Sequence, residues 1–162
     1  HANSLAESLS RIYNGKFVPL HAPARVSSRN IRDELLKEDS LLPAIYLTQK
    51  LDIAVVGIGY PNEKSAIMAT GYFKENEIES LIDRKVAGEL CMQFYDIYGD
   101  TAPYKDDNNV IGMDISMLRS VPRSIGIAGG VEKLRAVRGA INGHYINTLI
   151  TDIECAEALI SE

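Results

Sequence analysis

Residues 126–137, with the sequence GIAGGVEKLRAV, place two glycines and a lysine where an apolar run gives way to a helical pattern. The pattern predicts that Lys133 lies in the first turn of that helix. The positive end of a helix dipole disfavours a cation there by roughly 0.3–1 kcal/mol, and an anion bound nearby would reverse this preference. Lys133, Gly129 and Gly130 are therefore candidates for an anion site. The alternative is a solvent-exposed lysine beside glycines that only form a tight turn.

A second pair of glycines, Gly57 and Gly59, ends the apolar stretch DIAVVGIG at residues 52–59. Small residues at a strand end let a ligand approach the backbone closely. The stretch does not satisfy the dinucleotide pattern GxGxxG, because Asn62 stands where the third glycine is required, and the chain has no GxxxxGK[ST] sequence. These spacings favour a smaller anionic ligand, and we expect no cofactor.

Two carboxylates lie near predicted strand ends. Glu89 stands within the otherwise apolar run GELCMQF, where a buried side chain could bind sugar hydroxyls or act as a general base. The alternative, which the periodicity favours, is that Glu89 begins its strand in solvent. Asp152 follows the run LIT, and its better-supported role is to cap the last helix.

Composition and charge exclude several classes of protein. The 17 Lys and Arg residues and 22 Asp and Glu residues give a net charge of -5, so these residues lack the basic surface that nucleic-acid binding requires. Cys91 and Cys155 are too far apart in sequence for a metal-binding pair, which predicts reduced thiols and no metal. Because no apolar run approaches the roughly 18 residues of a membrane span, we expect a soluble, cytoplasmic protein.

Hydrophobic spacing predicts alternating helices and strands. The opening residues form an amphipathic helix capped by Asn3 or Ser4, and a capped helix and a second helix with Pro43 in its first turn follow. Further helices are predicted at 74–85, 131–143 and 153–162. Strands are predicted at 16–22, 52–59, 88–96, 123–130 and 145–152, with a short strand and helix over 110–121.

This alternation predicts one α/β domain over residues 1–162, Rossmann-like, with a mostly parallel sheet covered by helices on both faces. In such sheets the ligand lies beyond the carboxyl ends of the strands. Three strand ends are therefore candidates for the site: residues 55–59, 127–133 and 149–152.

The segments DIAVVGIG, GELCMQFYD, IAGGVEKLRAVRGAI and INTLITDIECAEALI resemble, in this order, the effector-binding domain of the SorC family of bacterial transcription regulators. The resemblance covers nearly the whole chain and is strongest from Leu51 onward. It implies the fold of the sugar-phosphate isomerases and deaminases. It also implies eight ligand-binding positions. These are Asn3 and Ser4 of an early phosphate loop, Gly57 and Gly59 of the Gly-x-Gly strand end, Glu89 for sugar hydroxyls, and Gly129, Gly130 and Lys133 of the phosphate-side loop.

The resemblance implies a domain that binds a sugar phosphate or a sugar and thereby modulates DNA binding by a helix-turn-helix module. That module is not among these residues, so we expect a fragment of a regulator that assembles as a homodimer or tetramer. The alternative is an isomerase- or deaminase-like enzyme. Related enzymes carry an Asp and a His after the Gly-x-Gly loop, whereas this loop continues YPNEKS, which predicts no catalytic residues. A third possibility is a domain that serves only in oligomerisation.

Overall fold

The computed structural model describes residues 2–62 and 71–161 of the chain. Within these ranges, five strands form one sheet in the order β3-β2-β1-β4-β5. The strands are β1 (Ile53–Gly59), β2 (Gly88–Leu90), β3 (Gln93–Tyr95), β4 (Arg123–Ile127) and β5 (Thr148–Ile150).

Helices connect these strands, in agreement with the predicted α/β class. Ser28 caps the second helix by accepting a hydrogen bond from the Ile31 amide, and a proline lies in the first turn of the third, as predicted. The α-helices of the described residues are α1 (Ala2–Ile12), α2 (Arg29–Leu35), α3 (Leu42–Thr48), α4 (Glu75–Asp83), α5 (Leu134–Asn142) and α6 (Ile153–Ser161), and short 3₁₀ helices span Ala102–Tyr104, Ile115–Ser120 and Val131–Lys133.

The sheet is parallel only in part. β1 pairs with β4, and β4 with β5, in parallel, as predicted. The single strand predicted at 88–96 is instead an antiparallel hairpin of β2 and β3. Its turn residues Cys91 and Met92 have φ values of 53° and 61°, a left-handed conformation uncommon outside Gly, Asn and Asp. Cys and Met are not residues that predict such a turn, and for this reason the sequence analysis predicted one continuous strand.

The predicted strand at 16–22 does not form. A proline at position 19 removes one backbone donor, and the hydrogen bond from the Ala22 amide joins it to the Leu20 carbonyl rather than to a neighbouring strand. The segment 110–121 likewise provides one β-bridge, between Val110 and Arg25, before the 3₁₀ helix Ile115–Ser120.

Among the described residues, helices pack on one face of the sheet. One face packs on α5 through a core that includes Ala54, Ile58 and Val137. The opposite face remains exposed, with side chains that no described helix covers. Their exposed fractions are 55% for Ile53, 59% for Val55, 43% for Ile127 and 54% for Ile150.

The opening helix forms but differs from prediction at its start. α1 already includes Ala2, so Asn3 and Ser4 lie inside its first turn and do not cap it. None of its residues is buried, and Leu5 and Ile12 are 67% and 74% exposed. Amphipathic periodicity predicted the helix, but it does not indicate which part of a protein packs against the apolar face of that helix.

Small residues let α5 approach the sheet closely. A side chain at Gly88 of β2 would clash with Ala136 of α5 and with the Tyr95 hydroxyl. That hydroxyl donates a hydrogen bond of 3.0 Å to the Ala136 carbonyl. Tyr95 thereby ties β3 to the beginning of α5, three residues after Lys133.

No helix within residues 2–62 and 71–161 has the length and apolar composition needed to span a bilayer.

We expect Tyr95→Phe to lower the free energy of unfolding by about 1 kcal/mol, because a buried hydrogen bond between β3 and α5 is lost. Tyr98→Phe is the matched control, since Tyr98 is 78% exposed and the change should cost less than about 0.5 kcal/mol. Urea denaturation monitored by circular dichroism measures both variants. Equal effects of the two changes would contradict the proposed anchoring of α5.

Candidate ligand-binding site

Strand pairing brings the predicted site residues to one edge of the sheet. Parallel pairing places Gly57 beside Ile127, so the ends of β1 and β4 lie together. Antiparallel pairing places Gly59 beside Glu89 of β2. Gly129 and Gly130 follow β4 at this same edge.

Gly59 makes room for the Glu89 carboxylate. A Cβ atom at position 59 would lie 2.0 Å from Glu89 Oε1, so any other residue would displace this carboxylate. At Gly57, by contrast, a Cβ atom would meet no described atom within 4 Å. The two glycines therefore differ: Gly59 accommodates a side chain of the protein, while Gly57 leaves open space.

Glu89 is half-buried in the middle of β2. The alternative that placed it in solvent at the start of a strand is therefore wrong. Its Oε2 atom accepts a hydrogen bond of 2.8 Å from the Met92 amide within the hairpin turn. Burial raises the pKa of Glu89, while the Met92 amide and the positive charge of Lys133 oppose that rise. Lys133 thus acts on Glu89, yet no salt bridge joins the two in the described part of the chain.

Asp152 bridges the glycine loop and helix α6. Its Oδ1 atom accepts a hydrogen bond from the Cys155 amide at 2.8 Å, which confirms the predicted cap of α6. Its Oδ2 atom accepts one from the Gly130 amide at 2.5 Å, and both bonds lower the pKa of Asp152. This second contact was not predicted. Knowledge of the strand order would have predicted this contact. Because β5 lies beside β4 in parallel, Asp152, which follows β5, lies at the same edge as Gly129, which follows β4.

Lys133 lies at the start of α5, as predicted. It is the last residue of a 3₁₀ turn, Val131–Lys133, and caps the start of α5. This turn follows Gly130, whose φ of 94° suits glycine. The Glu132 carboxylate folds over this glycine, because a Cβ atom at position 130 would lie 2.4 Å from it. The carboxylates of Glu132 and Asp152 thus lie at the Gly129–Gly130 loop, and the carboxylate on which Lys133 acts is that of Glu89.

This arrangement changes the expected anion site. The Gly130 amide, which the sequence offered as a donor to an anion, already donates to Asp152. Lys133 supplies positive charge, but the carboxylates of Glu89 and of the glycine loop favour groups that donate hydrogen bonds. A sugar hydroxyl is such a group, because it can donate to a carboxylate and accept from an ammonium.

The structure does not bring Asn3 and Ser4 to this edge through any hydrogen bond among described residues. Both are exposed on α1, where the Ser4 carbonyl accepts a bond from the Ser8 hydroxyl. Their predicted place in the site therefore stays a prediction. The loop that continues as YPNEKS is described only as far as Asn62.

Other reactive groups near this edge are poorly suited to chemistry. Burial, together with the Glu89 carboxylate, raises the pKa of the Cys91 thiol to about 11, so this thiol remains protonated near neutral pH. Cys91 and Cys155 are both free. Among residues 2–62 and 71–161, no group of three or more His, Cys, Asp or Glu side chains is arranged to hold a metal ion.

Residues 1–161 match a protein-family model described as "Putative sugar-binding domain". The sorbitol operon regulator of Klebsiella pneumoniae is 31% identical over 160 residues, which is 99% of this chain and 51% of that protein. The transcriptional regulator LsrR of Escherichia coli is 36% identical over 142 residues, 86% of this chain and 45% of that protein. The chain thus spans about half the length of these curated relatives.

Solved structures agree with these sequence matches. The crystal structure of the full-length sorbitol operon regulator superposes with a TM-score of 0.86, covering 99% of this chain and 52% of that one. A DeoR family transcriptional regulator from Listeria monocytogenes superposes with a TM-score of 0.91 at 25% identity, covering 98% of this chain and 64% of that one. The Rossmann-like fold is therefore confirmed. The chain belongs to the family of sugar-binding domains found in SorC-type transcriptional regulators.

Proposed function

We propose that this domain senses a sugar or sugar phosphate for a transcriptional regulator. The observation that carries the proposal is a half-buried Glu89 on the same strand edge as Gly57 and Lys133. A few convergent polar groups, some of them partly buried, are typical of small-molecule sites. A carboxylate next to a cation suits a polyhydroxylated ligand, since both charged groups form strong hydrogen bonds with hydroxyls.

Glu89 is oriented to receive a ligand hydroxyl. The Met92 amide holds Oε2, and Oε1 has no hydrogen-bond partner among the described residues. The fixed turn therefore orients the carboxylate without consuming its acceptor capacity. A ligand that donates a hydroxyl to Oε1 would recover part of the desolvation cost that raises the pKa of Glu89.

Lys133 supports recognition of an anionic group such as a phosphate. Its position at the start of α5 combines the ammonium charge with the positive end of the helix dipole. The Gly130 amide could join this site only if the ligand displaced Asp152. Free and phosphorylated sugars are thus both ligands of the proposed class.

In the whole regulator, ligand binding would bias the arrangement of subunits and so alter operator binding by a separate helix-turn-helix module. Residues 1–162 would form one sensing domain within a homodimer or tetramer, without catalytic turnover. The names of the relatives support a regulatory role, because those proteins are regulators of operons and of transcription.

We expect Lys133→Ala to weaken the apparent affinity for hexose and hexitol phosphates at least tenfold, because the ammonium is lost. The thermal shift that these ligands cause measures this affinity. The change should leave the fold intact, since a cation at a helix start is disfavoured by roughly 0.3–1 kcal/mol. Lys16→Ala, on an exposed residue, is the matched control. A shift that Lys133→Ala leaves unchanged would refute the role of Lys133 in anion recognition.

We expect Glu89→Gln to raise the melting temperature at neutral pH while weakening sugar binding. Because burial raises the pKa of Glu89, the ionised carboxylate destabilises the fold at neutral pH, and glutamine removes this cost. The difference should shrink as the pH falls through the raised pKa of Glu89 and disappear below the ordinary value of 4.5, where the carboxyl group is protonated in both the folded and the unfolded chain. Calorimetry over this pH range, with exposed Glu79→Gln as control, measures it. A variant less stable than the parent at neutral pH would contradict the argument.

We expect no isomerisation or deamination of hexose or pentose phosphates. Coupled assays at high protein concentration provide the measurement. A measurable rate that Glu89→Gln abolishes would instead support the enzyme alternative, with Glu89 as its general base.

A further inference from the structure

A cleft lies between α2 and the loop at residues 100–108. Its volume is about 520 Å³, within the range of small-molecule sites. None of the eight predicted site residues lines it. We call it the Arg29 cleft, and its charged lining includes Arg29, Arg32, Lys105, Asp33, Asp100 and Asp114.

One charged pair in the cleft is already neutralised. Arg32 donates to Asp33 Oδ1 through Nε at 3.0 Å and through Nη2 at 2.7 Å. Its Nη1 atom donates to the Asn108 carbonyl at 2.9 Å. Arg32 and Asp33 therefore form a fixed wall of the cleft and contribute little net charge.

Arg29 and Lys105 are different, because neither has a carboxylate partner among the described residues. Arg29 Nη2 donates to the backbone carbonyl of Lys105 at 3.2 Å, which ties Arg29 to the loop that carries Lys105. Arg29 Nε is buried and has no hydrogen-bond partner. A partly buried guanidinium without a counter-ion is costly, and an unsatisfied buried donor requires an explanation.

The remaining polar groups suit hydroxyls. Asp100 Oδ1 accepts a hydrogen bond from the Ala102 amide, and Asp114 Oδ1 accepts bonds from the amide and hydroxyl of Ser116. No hydrogen bond from a described residue reaches the second oxygen of either carboxylate, which a ligand donor could therefore use. These carboxylates would repel a phosphate placed beside them, so an anionic group would be favoured only beside Arg29 and Lys105.

We propose that the Arg29 cleft binds a small phosphorylated molecule, with its phosphate between Arg29 and Lys105 and its hydroxyls towards Asp100 and Asp114. Arginine and lysine together provide charge and several donors for the oxygens of a phosphate. This site is separate from the proposed sugar site, and it does not depend on the function of Glu89 and Lys133.

Titration of the 162-residue chain with inorganic phosphate at constant ionic strength, followed by amide NMR, tests the proposal. We expect saturable shifts at residues 29–33 and 100–108. The double variant Arg29→Gln/Lys105→Gln should weaken this binding at least tenfold. The control Lys16→Gln/Lys50→Gln removes the same charge from exposed positions and should change it less than twofold.

Lys133→Ala separates this site from the sugar site, because phosphate binding in the cleft should survive that change. Absence of saturable shifts at residues 29–33 and 100–108 would overturn the proposal. Equal weakening by the cleft and control variants would also overturn it, because it would reveal only a general response to net charge.

Discussion

The parallel pairing of β1 with β4 is the constraint on which the rest of the site depends. It aligns Gly57 with Ile127, so two strands that are far apart in sequence end at one edge. The β2–β3 hairpin then adds Glu89 beside Gly59. Packing of α5 through Gly88 and the Tyr95 hydroxyl fixes where that helix begins, and hence where Lys133 lies. A ligand would meet groups contributed by three strands, which backbone pairing positions, and by one helix, which packing positions.

The balance of charge at this edge explains how such a site could sense sugars. A half-buried carboxylate with a raised pKa costs stability, and Lys133 compensates for only part of that cost. Asp152 holds the Gly130 loop through a backbone hydrogen bond while capping α6. The protein itself therefore holds this loop, and the Gly130 amide is already satisfied. Such preorganisation favours ligands whose hydroxyls fit the existing groups.

Local patterns were sufficient to predict the parts of the site that depend on local structure. The Gly129–Lys133 turn, the strand ending in Gly57 and Gly59, and the cap formed by Asp152 all follow from neighbouring residues. The environment of Glu89 could not be predicted, because the hairpin turn at Cys91 and Met92 lacks the glycine or asparagine that marks such turns. The contact between Asp152 and Gly130 requires the order of the strands, which periodicity does not contain.

Coverage of the sheet is a second property that the pattern could not supply. The apolar residues of β1 predicted burial on both faces, yet Ile53 and Val55 are more than half exposed in the described part of the chain. A strand's composition reports that its side chains favour burial, but it does not identify the surface that buries them. The same limit applies to α1, whose apolar residues were recognised and remain exposed.

The most direct test of the proposed sensing function is an amide NMR titration of this chain with free and phosphorylated hexoses and hexitols. The proposal predicts saturable shifts, for at least one of these sugars, centred on Gly57–Gly59, Glu89 and Gly129–Lys133. Binding to none of them, or binding whose shifts lie elsewhere on the domain, would contradict it.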